Sequence, residues 1–168
     1  MSFSPPQLIN AAHGVEHFDC GKDSLNEYLK RFALGNTAAG IARTYVVPAQ
    51  NNSVIAYYSL TAGSVEKANV PERIGKGTPH HPIPVVLLAR LAVDLRFQGQ
   101  GLGRGMLQDA LRRTLSAADV IGIRALLVHA KDEAAAQFYL KYGFSPSPTD
   151  PLHLMLLIKD IRRSLQSH

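Results

Sequence analysis

Two apolar runs alternate with two helix-forming segments between Val85 and Phe144, and that alternation restricts the fold more than any other feature of the chain. The runs are "VVLLARLAVD" (residues 85–94) and "IRALLVHA" (residues 123–130). A run that stays apolar at consecutive positions suits a strand covered on both faces of a sheet. Between them, Gly101 to Asp119 has apolar residues at helical spacing through Leu102, Met106, Leu107, Ala110, Leu111 and Leu115. After them, "KDEAAAQFYLKYGF" reads as a second helix, closed by Gly143 in the position of a left-handed C-terminal cap. Strand, helix, strand, helix implies a βαβ unit with a right-handed crossover, and so an α/β chain built around a sheet.

The flanking sequence extends this sheet. "RTYVVPA" and "NSVIAYYSLTAGSV" are rich in β-branched and aromatic residues and meet at the turn-like "QNN", which predicts an antiparallel hairpin. Upstream, Asp23 or Ser24 is expected to cap a helix through "SLNEYLKRFAL", with Leu25, Tyr28, Leu29, Phe32 and Ala33 on its buried face. Glu66 to Pro84 is polar and proline-rich and is read as a long loop, a candidate substrate lid. "LHLMLLIKDI" is expected to be a closing strand and "RRSLQSH" a short tail. With 168 residues and no linker or repeat, the expectation is one domain over residues 1–168.

Composition narrows the classes of function. An apolar fraction of 46% with 18% charged residues excludes a largely disordered chain. No apolar run approaches the ~20 residues that span a bilayer, and "MSFSPPQLINAAHG" lacks a signal-peptide pattern, so the expectation is a cytoplasmic protein with no membrane partner. The single Cys20 cannot form an internal disulfide and is read as structural. His80 and His81 have no second ligand pair at metal-binding spacing, so no metal is expected. A formal charge of +5 favours anionic partners, with a merely soluble basic surface as the alternative.

The sharpest local feature is "RFQGQGLGRGML", with four glycines where the strand hands over to the helix. Glycine permits positive φ and close ligand approach, so successive amides can face one concavity, and the helix start adds unpaired N–H groups and its positive dipole end. That combination suits phosphate. A triphosphatase loop is excluded because Gly103 is followed by Arg104 and Gly105 rather than Lys-Ser/Thr, and a dinucleotide fold would place this loop after a first strand. A glycine-rich turn with no ligand is the alternative.

"QGQGLG", in the form Gln-x-x-Gly-x-Gly, resembles the pyrophosphate-binding signature of the GCN5-related N-acetyltransferases (GNAT), and "AAAQFYLKYGF" resembles that family's following helix, which ends in Tyr-x-x-x-Gly-Phe. The resemblance implies a single GNAT fold with a central mixed, splayed sheet and acetyl-coenzyme A as acetyl donor. It implies donor contacts at Leu91, Ala92, Val93, Gln98, Gly99, Gln100, Gly101, Leu102, Gly103 and Arg104. Arg96 flanks the same loop. Asp132 stands where many relatives carry Asn, so no donor contact is assigned to it.

Nearly the whole chain, from "HFDCGKDSLNEYLKRFAL" to "LHLMLLIKDI", is similar to the acetyltransferase toxins of bacterial toxin–antitoxin pairs, which acetylate the α-amine of aminoacyl-tRNA and stop translation. That similarity implies a cognate ribbon-helix-helix antitoxin, operator DNA bound through it, and a homodimer. In the matched motif Tyr139 is the catalytic acid that protonates the leaving thiolate; the alternative is that Tyr139 and Tyr142 both pack. A backbone N–H near Val93 is expected to stabilise the oxyanion. No carboxylate interrupts "LLARLAV" to act as base, which favours an α-amine, whose pKa of about 7.7–8.0 needs less help than the ~10.4 of lysine. For tRNA phosphates the candidates are Lys30, Arg31, Arg43, Arg73, Lys76 and Arg90, the last requiring an anionic or carbonyl partner in its apolar run. Acetylation of a small amine or a protein N-terminus, and a non-catalytic binding module of the same fold, remain as competing readings.

Overall fold

The computed structural model describes residues 3–166. It comprises two compact units, one formed by the chain up to Thr61 with Ala89–Ala110, the other by Ala62–Leu88 with the chain from Leu111 onward. Three elements run through both: β3 (Val54–Val65), β4 (Ile83–Val93) and α4 (Leu102–Ala118).

In the first unit the strand order is β1 (Gln7–Leu8), β2 (Arg43–Pro48), β3, β4. The predicted hairpin is present: β2 and β3 pair antiparallel from Arg43↔Leu60 to Pro48↔Val54, with a shift after Val47. Its turn closes through Asn52 N to Ala49 O, and Asn52 takes φ of 65°, which Asn tolerates better than most side chains. The predicted helix is also present, as α1 (Asp23–Glu27), a π-turn (Tyr28–Phe32) and α2 (Ala33–Ala38) in unbroken succession. Neither Asp23 nor Ser24 is its N-cap. Lys22 holds that position, and its carbonyl accepts from Asn26 N. Phe18, Leu25, Tyr28, Leu29, Val46 and Tyr57 form the core here, whereas Phe32, expected inside, is 46% exposed because the π-turn rotates it outward.

In the second unit the order is β3, β4, β5 (Ala125–His129), β7 (His153–Leu157), β6 (Ser145–Pro146). β4 and β5 are parallel, as the βαβ pattern requires, and their pairing runs only from Val85↔Ala125 to Leu88↔Val128 although β4 continues to Val93. α5 (Glu133–Lys141) ends at Gly143, whose φ of 93° is the left-handed cap expected there.

Two expectations are corrected in this unit. The 66–84 stretch is not structureless. It holds a short 3-10 turn (Lys67–Asn69) and α3 (Glu72–Gly75), and β4 already begins at Ile83. Pro71 sets up the helix start, and Val70 and Ile74 sink into a cluster with Ile83, Val85, Ala125 and Leu157, so apolar burial orders a segment whose prolines suggested a loop. The closing strand stops at Leu157, and Ile158–Gln166 is a helix, α6, with Ile161 fully buried. Arg162 pairs with Asp119, and Asp160 with Arg73, so the polar face of α6 is tied down as well.

Candidate active site

β4 changes character along its length. Val85, Val86 and Leu88 are buried, but Leu91 and Val93 are only half-buried, as suits a strand whose last residues are open to a ligand. Directly after it, Asp94 is 1% exposed and receives four donors: Arg96 N and Nε at 2.9 Å on one oxygen, Arg96 Nη2 and Asp19 N at 3.1 Å on the other. Leu95 N also bonds to Asp19 O at 2.8 Å. Burial works to raise the Asp94 carboxyl, but the Arg96 guanidinium and the two backbone amides outweigh it and hold it below the usual carboxylate range. A 3-10 turn, Leu95–Phe97, is fixed by these bonds. Asp94 is therefore the anchor of the glycine loop, and the only hint of it in the sequence is an Asp at the end of a buried strand beside Arg-x-x-Gly.

The loop itself has the geometry argued from its glycines. Gly99 and Gly101 have φ of 79° and 85°, which L side chains rarely adopt, and an added Cβ at either would meet no protein atom within 4 Å. It is the backbone conformation that requires glycine there, and the space beside each is left open. Gly105 N bonds back to Gly101 O at 3.0 Å, so the amides of Leu102, Gly103 and Arg104 occupy the helix start, where no intrahelical acceptor exists. Alternating left-handed residues next to a helix N-terminus form a backbone nest for an anion. The residues present fit a diphosphate.

The side chains of Gln98, expected at the donor, and of Arg96, which flanks the loop, are both engaged within the protein. The Gln98 amide donates to Val93 O at 2.9 Å and Cys20 O at 3.4 Å, so its side chain fastens the loop to the strand. Arg96, 60% exposed, is committed to Asp94, while Arg104 is exposed at the first turn of α4. Among the described residues Arg90 finds neither an anion nor a carbonyl. Its guanidinium carbon lies 3.7 Å from the centroid of the Tyr28 ring, so a π face satisfies it. Cys20 is buried and burial pushes its thiol up, in keeping with a packing role.

In the second unit, α5 places Tyr139 inward at 5% exposure with Phe138 and Phe144 edge-on at 5.1 and 5.4 Å, and leaves Tyr142 half-buried at the helix end. The Tyr139 hydroxyl has no hydrogen-bond partner among the described residues, and no fully buried side-chain polar atom there lacks one, so this oxygen reaches the surface of the protein. Burial of the ring raises the phenol well above its ordinary value, which keeps the proton in place at neutral pH. Asp132 caps α5 by accepting from Ala135 N at 2.9 Å, which explains an acidic residue at that position without a ligand.

Of the cations chosen for tRNA, Lys30, Arg31, Arg43 and Arg90 belong to the first unit and Arg73 and Lys76 to the second. Arg31 pairs with Glu27 at 3.0 Å and Arg73 with Asp160 at 2.6 Å, whereas Arg43 and Lys76 have no ion pair among the described residues.

Residues 42–146 match the acetyltransferase (GNAT) domain. The chain belongs to the GNAT family. It is 47% identical over 160 residues to the tRNA-acetylating toxin of Mycobacterium tuberculosis (strain ATCC 25618 / H37Rv), covering 95% of each. Among solved structures, AtaT complexed with acetyl-methionyl-tRNAfMet is similar at a TM-score of 0.88 and 30% identity, over 95% of this GNAT chain and 98% of that one. A tyrosine-to-phenylalanine mutant of AtaT, bound to the C-terminus of the antitoxin AtaR and acetyl-CoA, is similar at a TM-score of 0.81 and 28% identity, over 96% and 97%. The mixed α/β architecture with one parallel β4–β5 pair is thus that of a GNAT fold.

Proposed function

We propose that this chain is an acetyl-CoA-dependent N-acetyltransferase toxin that acetylates the α-amino group of aminoacyl-tRNA, blocks translation in the cytoplasm, and is neutralised by a cognate antitoxin. The observation that carries this reading is the backbone nest at Gly99–Arg104 in a GNAT chain 47% identical to a tRNA-acetylating toxin. Solved relatives with acetyl-CoA, acetylated tRNA, an antitoxin tail and DNA support the partners.

In this reading the amides of Gln98 to Arg104 hold the diphosphate of the donor, and the half-open strand at Leu91, Ala92 and Val93 pairs its pantetheine arm. Acetyl-CoA supplies an activated thioester. The acceptor amine attacks the thioester carbon, the C–N bond forms, the C–S bond breaks, and Tyr139 gives its proton to the departing sulfur and regains one, through water, from the proton the amine nitrogen sheds. A phenol that holds its proton until negative charge develops is suited to that step, and acid catalysis of this kind contributes about 10²- to 10⁴-fold. The basic residues Lys30, Arg43 and Lys76 contact acceptor-end phosphates without reading bases.

The test is transfer of labelled acetyl groups to charged tRNA. Wild type is expected to label it; Tyr139→Phe is expected to lose at least about 100-fold in turnover while acetyl-CoA affinity and thermal melting stay near wild type. Labelling only of polyamines or peptides would replace the toxin reading with a small-amine or N-terminal acetyltransferase. Full growth arrest by Tyr139→Phe would favour a binding module.

A further inference from the structure

The second unit contains a cavity of about 480 Å³. Its apolar wall is Val85, Leu87, Leu127 and Met155, alternate residues of three adjacent strands and therefore one face of the sheet. Polar groups enter from its edges, among them His129 and His153. The two histidines are 24 positions apart in sequence and become neighbours only through strand pairing.

His129 and His153 are direct partners in the antiparallel β5–β7 ladder. Their rings stack with centroids 3.9 Å apart and planes 16° from parallel. Two imidazolium rings at that separation repel, so the His153 ring works against a positive charge on His129. His153 Nε2 lies 3.4 Å from Asp150 Oδ2, which orients the second ring. His129 stands one residue beyond Val128, the last β5 residue paired with β4, at the carboxyl end of a parallel strand. Ligands of sheets with parallel strands gather at those ends.

We infer that His129, stacked on His153 and steadied through it by Asp150, accepts the proton that the acceptor's α-ammonium must lose before acetyl transfer. The inference rests on the acetyltransferase reading above and supplies the base that the sequence did not offer. The proton passes from the ammonium to a neutral imidazole nitrogen of His129, which leaves an amine lone pair for attack. Tyr139 protonates the departing sulfur, the amine's second proton passes through water to the Tyr139 phenolate as the amide forms, and His129 returns its own proton to water.

The titratable groups that line the cavity with the pair are Asp150 before β7 and Glu66 just after β3, beside apolar Val85 and Leu87 from β4. Partial burial and His153 both hold His129 below its ordinary value, against the opposing pull of Asp150, so the ring is largely neutral at pH 7. Glu66 and Asp150 add negative charge on the cavity wall, which favours an ammonium group as the occupant.

The experiment is the pH profile of kcat/KM for acetylation of charged tRNA by wild type, His129→Gln and His153→Gln, with circular dichroism to confirm folding. At pH 6.5, His129→Gln is expected to be at least about tenfold slower than wild type, and to approach it near pH 9, where the α-amine deprotonates unaided. His153→Gln should shift the acid limb of the profile. Millimolar imidazole should restore part of the rate to His129→Ala, which also serves if His129→Gln does not fold.

A ratio to wild type that stays constant from pH 6.5 to 9, or an unchanged rate, overturns the proposal. A wild type that labels no charged tRNA rejects the parent reading instead. The same profile on a small primary amine then decides the role of His129.

Discussion

At the residue scale, the most informative side chain is a buried carboxylate at the end of β4. Asp94 gathers Asp19, Arg96 and the turn leading into the glycine loop, and does so with a carboxylate at 1% exposure. Asp94→Asn keeps the shape but removes the charge that balances Arg96, and is expected to cost about 1–3 kcal/mol in urea unfolding, with weaker acetyl-CoA binding as the loop loosens. The pH dependence follows from the depressed carboxyl. Its stabilisation is complete above the unfolded value of about 3.9 and is lost as pH falls through the lower folded value, so acid unfolding below about pH 4 should be shallower in the variant. Gly99 and Gly101 could be chosen from the sequence because positive φ beside a helix start leaves few other residues possible. Asp94 could not, since its value comes from Asp19, 75 positions away.

At the scale of elements, the long ones were legible and the short ones were not. α4, α5 and the β2–β3 hairpin each carry a periodicity or a turn signal within a single window. β1 and β6 have two residues each and exist only because a neighbouring strand offers unpaired groups. α6 was hidden because "LHLMLLI" continues apolar into its first turn, so a strand pattern overran the real boundary at Leu157. Its reality is testable through Ile161, which is fully buried. Ile161→Ala is expected to lower stability by about 2–5 kcal/mol and the melting temperature accordingly, whereas Ala at a residue of a frayed tail would change neither.

At the scale of the whole molecule, the proposed recognition of tRNA through its phosphates gives the charge of +5 a measurable signature. If two or three phosphates are contacted, raising salt from 50 to 200 mM should raise KM for charged tRNA by about tenfold or more and leave KM for a small uncharged-tail amine nearly unchanged. Equal salt dependence for both acceptors would remove the basic residues from substrate binding. Several properties of this protein were already determined by the order of its residues: the alternation of strands and helices, the nest-forming glycines and the inward tyrosine. Each depends on local conformational preference or on spacing along one element, and those act within a few residues. Tertiary structure alone decided that Gln98 and Arg96 serve the fold, that Arg90 settles on Tyr28, and that two distant histidines stack beside a cavity. Such pairings form because burial removes water as a competing partner, and which groups are buried together is settled only when the strands have chosen their neighbours.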